Sequence, residues 1–433
     1  MAIKIPKYTN TAKYYARGRT IKKNREMQIE IGKVINACID PCTSEYYRFG
    51  YESLGMLLFG FSQWINKTIS AEKVNRVFFL ARDGYLLEKV YKELYPDGSS
   101  FASNYLYISR KSIHFSLLWS FENIEDYLSL NGNKRWYLEM ICARLNIEYE
   151  RGKKYWEYLG LDANASYKTE EIRNNTKINQ FYEYFKGELV EKSKEQFEFI
   201  KKYFNQMGFS GKIMVVDSGS MFCTTQRCLN LFCKLAGVDA EIIGRYLWMG
   251  AQNPMMNVDS YIFKGKSILG GESMLIEFPL TAHEGSTARY MLENGKVLPV
   301  LDDYEYSEEN MAEIVYDIQK GVMDFASTVR QWGMVNEISP ELAISSINNI
   351  SKNPKYFETK LFGNIIFRSD EQNTYLAKPQ KLLCYVTKLG DFKRDFLKTR
   401  WQIGFLKRLF ILPFPYYSLL KLVWRLYKRI RHK

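Results

Sequence analysis

The chain has 433 residues, 46% of them hydrophobic and 15% aromatic, enough to bury a substantial core and too apolar for a disordered segment. Its net charge of +13 sits at the ends: eight basic residues and no acid in 1–25, ten and no acid in 398–433, which leaves 26–397 at −5. A mildly acidic body with basic termini argues for an anionic membrane surface as partner and against nucleic acid, while no run reaches the roughly 18 apolar residues of a spanning helix. Seven cysteines, an odd number with no secretory signal, read as reduced, buried thiols of a cytosolic protein. Cys38 and Cys42 have no second pair at zinc spacing.

Residues 1–25 lack apolar periodicity and read as a basic arm. From 26 to about 70 the pattern is helical, with Tyr51, Leu54, Leu57, Leu58, Phe61 and Trp64 on one side. The uninterrupted run Val77, Phe78, Phe79, Leu80 predicts a strand buried on both faces. It stops at Arg82, Asp83 and Gly84, and Leu86, Leu87, Val90 and Tyr91 continue at helical spacing from Tyr85 onward. The Asp83 carboxylate is thereby placed at the C-terminal edge of a sheet, where open α/β folds bind ligands and helix N-termini favour anions. A second strand is predicted over Asn104–Ser109, whose end brings Ser109, Arg110 and Ser112 to the same edge.

Residues 120–205 read as a helical insertion with a polar interruption at 161–175. The sheet resumes at 212–217, followed by Ser218, Gly219 and Ser220, a helix over Thr224–Ala236 and a strand over Glu241–Trp248. Alternating strands and helices predict an α/β, Rossmann-like parallel sheet within a 26–335 domain. The remainder reads as a short strand over Leu298–Leu301, a helix over 308–335 and a mixed extension over 336–397. Two basic amphipathic helices, separated by Pro413 and Pro415, complete the chain over 398–433 and suit a membrane interface.

The chemistry-bearing residues are two strand-end carboxylates, Asp83 and Asp217, and the TAHEGST stretch with His283 and Glu284. Asp83 and Asp217 can hold Mg²⁺ together with phosphate oxygens, or act as catalytic groups. Ser218, Gly219 and Ser220 offer hydroxyls and amides to a phosphate, Arg82 and Arg110 offer bidentate donors, and His283 can serve as acid or base. The alternative for either Asp is to cap its own helix. The HE dipeptide lacks the second His of a metalloprotease helix, and kinase and Walker phosphate loops are absent.

The segments YESLGMLLFGF (51–61), FFLARDGYLLEKVY (78–91), YLYISRKS (105–112), VVDSGSMFCTTQRCL (215–229), GRYLWMG (244–250), EFPLTAHEGSTARY (277–290) and IQKGVMDF (318–325) follow in that order. Together they resemble the region found in predicted hydrolases of the haloacid dehalogenase (HAD) superfamily encoded with bacterial surface-polysaccharide genes, over roughly residues 45 to 330. The resemblance implies a HAD-like fold and a role in capsule or O-antigen synthesis, on a phosphorylated or nucleotide-activated sugar or polyol, in company with glycosyltransferases of the same pathway. Where that superfamily's phosphatases carry Asp-x-Asp, this chain has Asp83, Gly84, Tyr85. Three readings follow: an enzyme on such a sugar at the cytoplasmic face of the membrane, a glycosyltransferase for a lipid-linked acceptor, or a non-catalytic scaffold. The candidate catalytic residues are Asp83, Asp217 and His283, with Arg82, Gly84, Tyr85, Ser109, Arg110, Ser218, Gly219, Ser220 and Glu284 in substrate binding.

Overall fold

A computed structural model describes residues 25–37, 43–96, 102–220, 223–250, 256–262, 272–304, 306, 309–367 and 374–431. The basic arm, Cys38 and Cys42 lie outside them. The chain is mixed α/β, organised on a five-stranded, all-parallel sheet. The strands are β1 (Arg76–Leu80), β2 (Ala102–Leu106), β3 (Gly211–Ser220), β4 (Ala240–Met249) and β5 (Val258–Ile262), in the spatial order β2-β1-β3-β4-β5. This is a doubly wound order whose direction reverses between β1 and β3, and a reversal opens a crevice at the C-terminal edge.

Strand alternation loads both faces. Val77, Phe79, Met214, Val216, Ile243 and Leu247 point into one core, packed by the helices Gly55–Glu72, Gly84–Leu94, Glu272–Leu280 and Glu309–Gln331. Phe78, Leu80, Ile213, Val215 and Ile242 point into the other, covered by the end of the long helix Thr176–Met207 and by Thr224–Ala236. Apolar residues on both faces leave water no access to the strands, which is why β1 shows no polar alternation.

Residues 45–72 form a nearly continuous helical rod: Glu45–Phe49, a single π-helical turn over Gly50–Leu54, then Gly55–Glu72. The rod crosses the helix Glu309–Gln331 at backbone contact. A Cβ on Gly50 would stand 2.1 Å from the Ile318 carbonyl oxygen, and one on Gly321 would stand 2.2 Å from the Tyr47 oxygen.

The insertion has a core of its own, built around Trp136, Trp156, Tyr127 and Phe181, with a small antiparallel pair, Arg135–Tyr137 with Ser166–Lys168, where the sequence shows only a polar interruption. The extension 336–397 is part of the main core, through Ile338, Leu342, Ile347, Phe362 and Tyr385. The first tail helix, Gln402–Phe410, also turns inward: Trp401 is fully buried and donates its indole N–H to the Ser351 carbonyl at 2.8 Å, with Ile403, Phe405 and Leu409 buried beside it. That half of the tail is docked structure and not an interfacial helix. Among the described cysteines, Cys142, Cys223, Cys228 and Cys233 are buried thiols, but Cys384 is exposed. No helix among the described residues is long and apolar enough to cross a membrane.

Candidate functional site

β1 ends at Leu80, and its pairing with β3 stops at Phe79 opposite Val216. β3 continues to Ser220 with only β4 beside it, pairing Asp217 with Tyr246 and Gly219 with Trp248. Ser218, Gly219 and Ser220 are therefore strand residues, whereas the sequence ends the strand at Asp217. The side chain of Ser220 lies outside the described set.

The two aspartates meet in this crevice. Neither caps a helix: Asp83 stands at the N-cap of Gly84–Leu94 but makes no side-chain capping bond, and Asp217 lies within β3. The buried Ser218 hydroxyl instead donates to Asp83 Oδ2 at 2.5 Å, while the Ser218 amide donates to Asp217 Oδ1 at 2.8 Å. Gly84 allows the helix to start this close, since a Cβ there would fall 2.9 Å from the Phe79 carbonyl carbon.

A third acid, Glu277, joins from the helix Glu272–Leu280. Desolvation is the main cause of the raised pKa of both Asp217 and Glu277, each pushed up to about 8, and the neighbouring Asp83 charge raises both further. Arg110 opposes the rise in both cases. Both residues keep a little accessible surface, so they line a poorly hydrated crevice and are not sealed in the core. The Trp248 indole also draws the Glu277 pKa down. Its geometry falls short of a formed hydrogen bond, and Trp248 Nε1 is buried with no partner. A partnerless buried donor beside the acids is one that a ligand oxygen can occupy.

The Trp248 ring lies over Gly219, where a Cβ would come within 2.1 Å of Nε1. Gly219→Ala is expected to cost about 1–3 kcal/mol in denaturant unfolding. Adding Trp248→Phe should recover part of that loss; two purely additive losses would place the clash elsewhere.

The remaining candidates form a flank tied to the β1 turn. Arg82 has left-handed backbone geometry (φ 73°), which disfavours most side chains. Its N–H donates to Tyr105 Oη at 2.7 Å, its guanidinium to Ser286 Oγ at 2.7 Å, and its carbonyl accepts from Ala282 at 3.2 Å. Arg82 is thus a clamp joining LARDGY to TAHEGST. Glu284 accepts from Tyr105 and Tyr107 at 3.1 and 3.2 Å. His283 is exposed, with Nε2 2.9 Å from Gln319 Oε1 and its ring edge-on to Tyr85. Because the Gln319 amide nitrogen donates to the Pro279 and Thr281 carbonyls, its oxygen is left to accept, and the proton is assigned to His283 Nε2. Tyr85 Oη accepts from Lys89.

Ser109 is a structural cap of the helix Arg110–Phe115, in a capping box with Ser112, and also donates to the Thr287 carbonyl at 2.6 Å. Its hydroxyl is occupied by these contacts and not directed to the crevice acids. The exposed Arg110 remains within electrostatic range of Asp217 and Glu277.

Sequence reading passes over Glu277, Trp248, Tyr105 and Tyr107. A visible signal for Glu277 is its isolation as the sole acid inside MLIEFPL. Among the described residues no three His, Cys, Asp or Glu side chains are arranged to hold a metal by themselves. Asp83 and Asp217 fit Mg²⁺ only in the manner that ion prefers, one or two carboxylates shared with substrate phosphate and water. No family model matches the chain, and no curated protein matches it.

Proposed function

We propose that the crevice between β1 and β3 binds the anionic group of a phosphorylated or nucleotide-activated sugar or polyol, in a HAD-like, Rossmann-like protein of bacterial capsule or O-antigen synthesis. The observation that carries this reading is the meeting of Asp83, Asp217 and Glu277 at the sheet's reversal point, with Arg110 and the unpaired Trp248 N–H beside them. Burial and the Asp83 charge keep Asp217 and Glu277 protonated near neutral pH, and a cation brought in with a phosphate would take the place of the Asp217 proton. Asp83 and Asp217 would hold Mg²⁺, which when bound would neutralise phosphate charge. Glu277, protonated near neutral pH, can donate a proton to a departing oxygen. Asp83 stands without the second Asp of a phosphoaspartyl mechanism, so its assigned role is binding. Arg110 is the free-standing guanidinium for the phosphate, and the Arg82 clamp keeps the His283 and Glu284 loop against the crevice mouth.

The test is a panel of sugar-nucleotide and polyol-phosphate donors presented to the purified full chain with and without Mg²⁺. Magnesium-dependent release of a phosphate or nucleotide is expected from one donor class. A chain that binds no donor, in a strain whose polysaccharide output survives Asp83→Asn and Asp217→Asn, would be a scaffold.

A further inference from the structure

The second half of the tail does not follow the first. After Gln402–Phe410 docks, the chain turns at Ile411, in left-handed geometry (φ 61°), passes Pro413 and Pro415, and enters a last helix, Tyr416–Arg431. Its first turns touch the body: Tyr416 is buried, and Tyr417 and Leu420 pack against the main core. Every side chain described beyond Leu420 is exposed.

On that projecting stretch, Leu419, Leu422, Val423 and Leu426 follow i, i+3, i+4, i+7 spacing and form one apolar stripe, each about half exposed. Lys421 and Arg425 occupy the other side and Arg429 flanks the stripe, all three exposed. The turn before the helix presents Ile411 and Phe414 to solvent as well. A 16-residue helix is about 24 Å long, too short and too basic to span a bilayer, but suited to lie along its surface.

We propose that this helix and the turn before it lie on an anionic lipid bilayer and hold the chain there. Charge decides the occupant. The tail carries ten basic residues and no acid over 398–433, so a second copy seated on the same face would bring like charges together. A nucleic acid would satisfy the charges but offers no apolar phase to the Leu and Val stripe. An anionic bilayer takes both faces at once: acyl chains accept the stripe, and headgroups accept Lys421, Arg425 and Arg429. Lys352, 5.5 Å from the Tyr417 ring that Lys421 also approaches at 5.9 Å, adds one more positive charge at the helix base. This inference is independent of the crevice reading.

The experiment is co-sedimentation of the full chain with vesicles of phosphatidylcholine alone or in equimolar mixture with phosphatidylglycerol. Wild type is expected in the pellet with the mixed vesicles, less so with phosphatidylcholine alone, and to be released by salt. Lys421→Gln with Arg425→Gln and Arg429→Gln should weaken partition by on the order of fivefold per charge removed. Leu422→Asp with Leu426→Asp should abolish it. Both variants should melt as wild type does, since the altered residues lie beyond the last core contact. Equal pelleting with both vesicle types, or variants that bind as wild type does, would overturn the proposal. So would self-association lost in Leu422→Asp without vesicle binding, which would give the face to a second copy.

Discussion

Asp217→Asn and Glu277→Gln are each expected to make the protein more stable above about pH 8 while removing the function assigned to the crevice. Burial and the adjacent Asp83 charge push both acids up to about 8, from ordinary values of 3.8 and 4.5. The folded chain therefore keeps protons that the unfolded chain releases at lower pH. The sign follows: their contribution is whole below about pH 4, and stability falls as pH rises towards 8. A neutral isostere removes the cost of burying charge, a gain on the order of 1–3 kcal/mol at alkaline pH. Asp83→Asn should act on both titrations at once, because Asp83 raises both. Denaturant unfolding between pH 5 and 9 measures this, and identical pH slopes in wild type and the variants would refute it. Loss of polysaccharide output alongside higher stability would mark a site kept for chemistry at the expense of the fold.

Gly321→Ala or Gly50→Ala should have a large effect on folding, a loss of about 3 kcal/mol or more, enough to deplete the native state. At most positions an added methyl meets a side chain that can rotate. Here it meets backbone: the Tyr47 oxygen at 2.2 Å and the Tyr51 nitrogen at 2.8 Å from Gly321, and the Ile318 oxygen at 2.1 Å from Gly50. Relief requires the two helices to separate, which would open contacts such as the edge-to-face Tyr51–Phe325 pair. Gly187 is the control, exposed within Thr176–Met207 with nothing near its Cβ position. Gly187→Ala should stabilise by about 0.5–1 kcal/mol, the ordinary helix-propensity gain. A thermal melt of the three variants suffices, and Gly321→Ala melting with Gly187→Ala would disprove the close crossing.

Local patterns read correctly where local physics dominates. The apolar run before Asp83 is a strand because a doubly covered strand has no polar face, and Thr224–Ala236 is a helix over the predicted span. The sheet's fifth strand escapes notice because Val258–Ile262 is short and carries Asp259 and Ser260. The hairpin joining Thr287–Glu293 to Lys296–Leu301 had a usable signal. Asn294 and Gly295 both take positive φ, as the two-residue turn requires, although only the second strand was expected. The Ser109 and Ser112 spacing likewise admits a capping box, which is its role.

By itself the sequence determined that Asp83 follows the end of a strand and that Asp217 belongs to one, though β3 runs on to Ser220, that the body is acidic and the termini basic, and that strands alternate with helices. Tertiary structure alone decided that those two acids share Ser218, that Glu277 joins them from a distant helix, and that one tail helix docks while the other projects. The reason is that periodicity and capping act within a few residues of chain. Desolvation and Coulomb repulsion depend on distance through space, which the order of strands sets only once the sheet has formed.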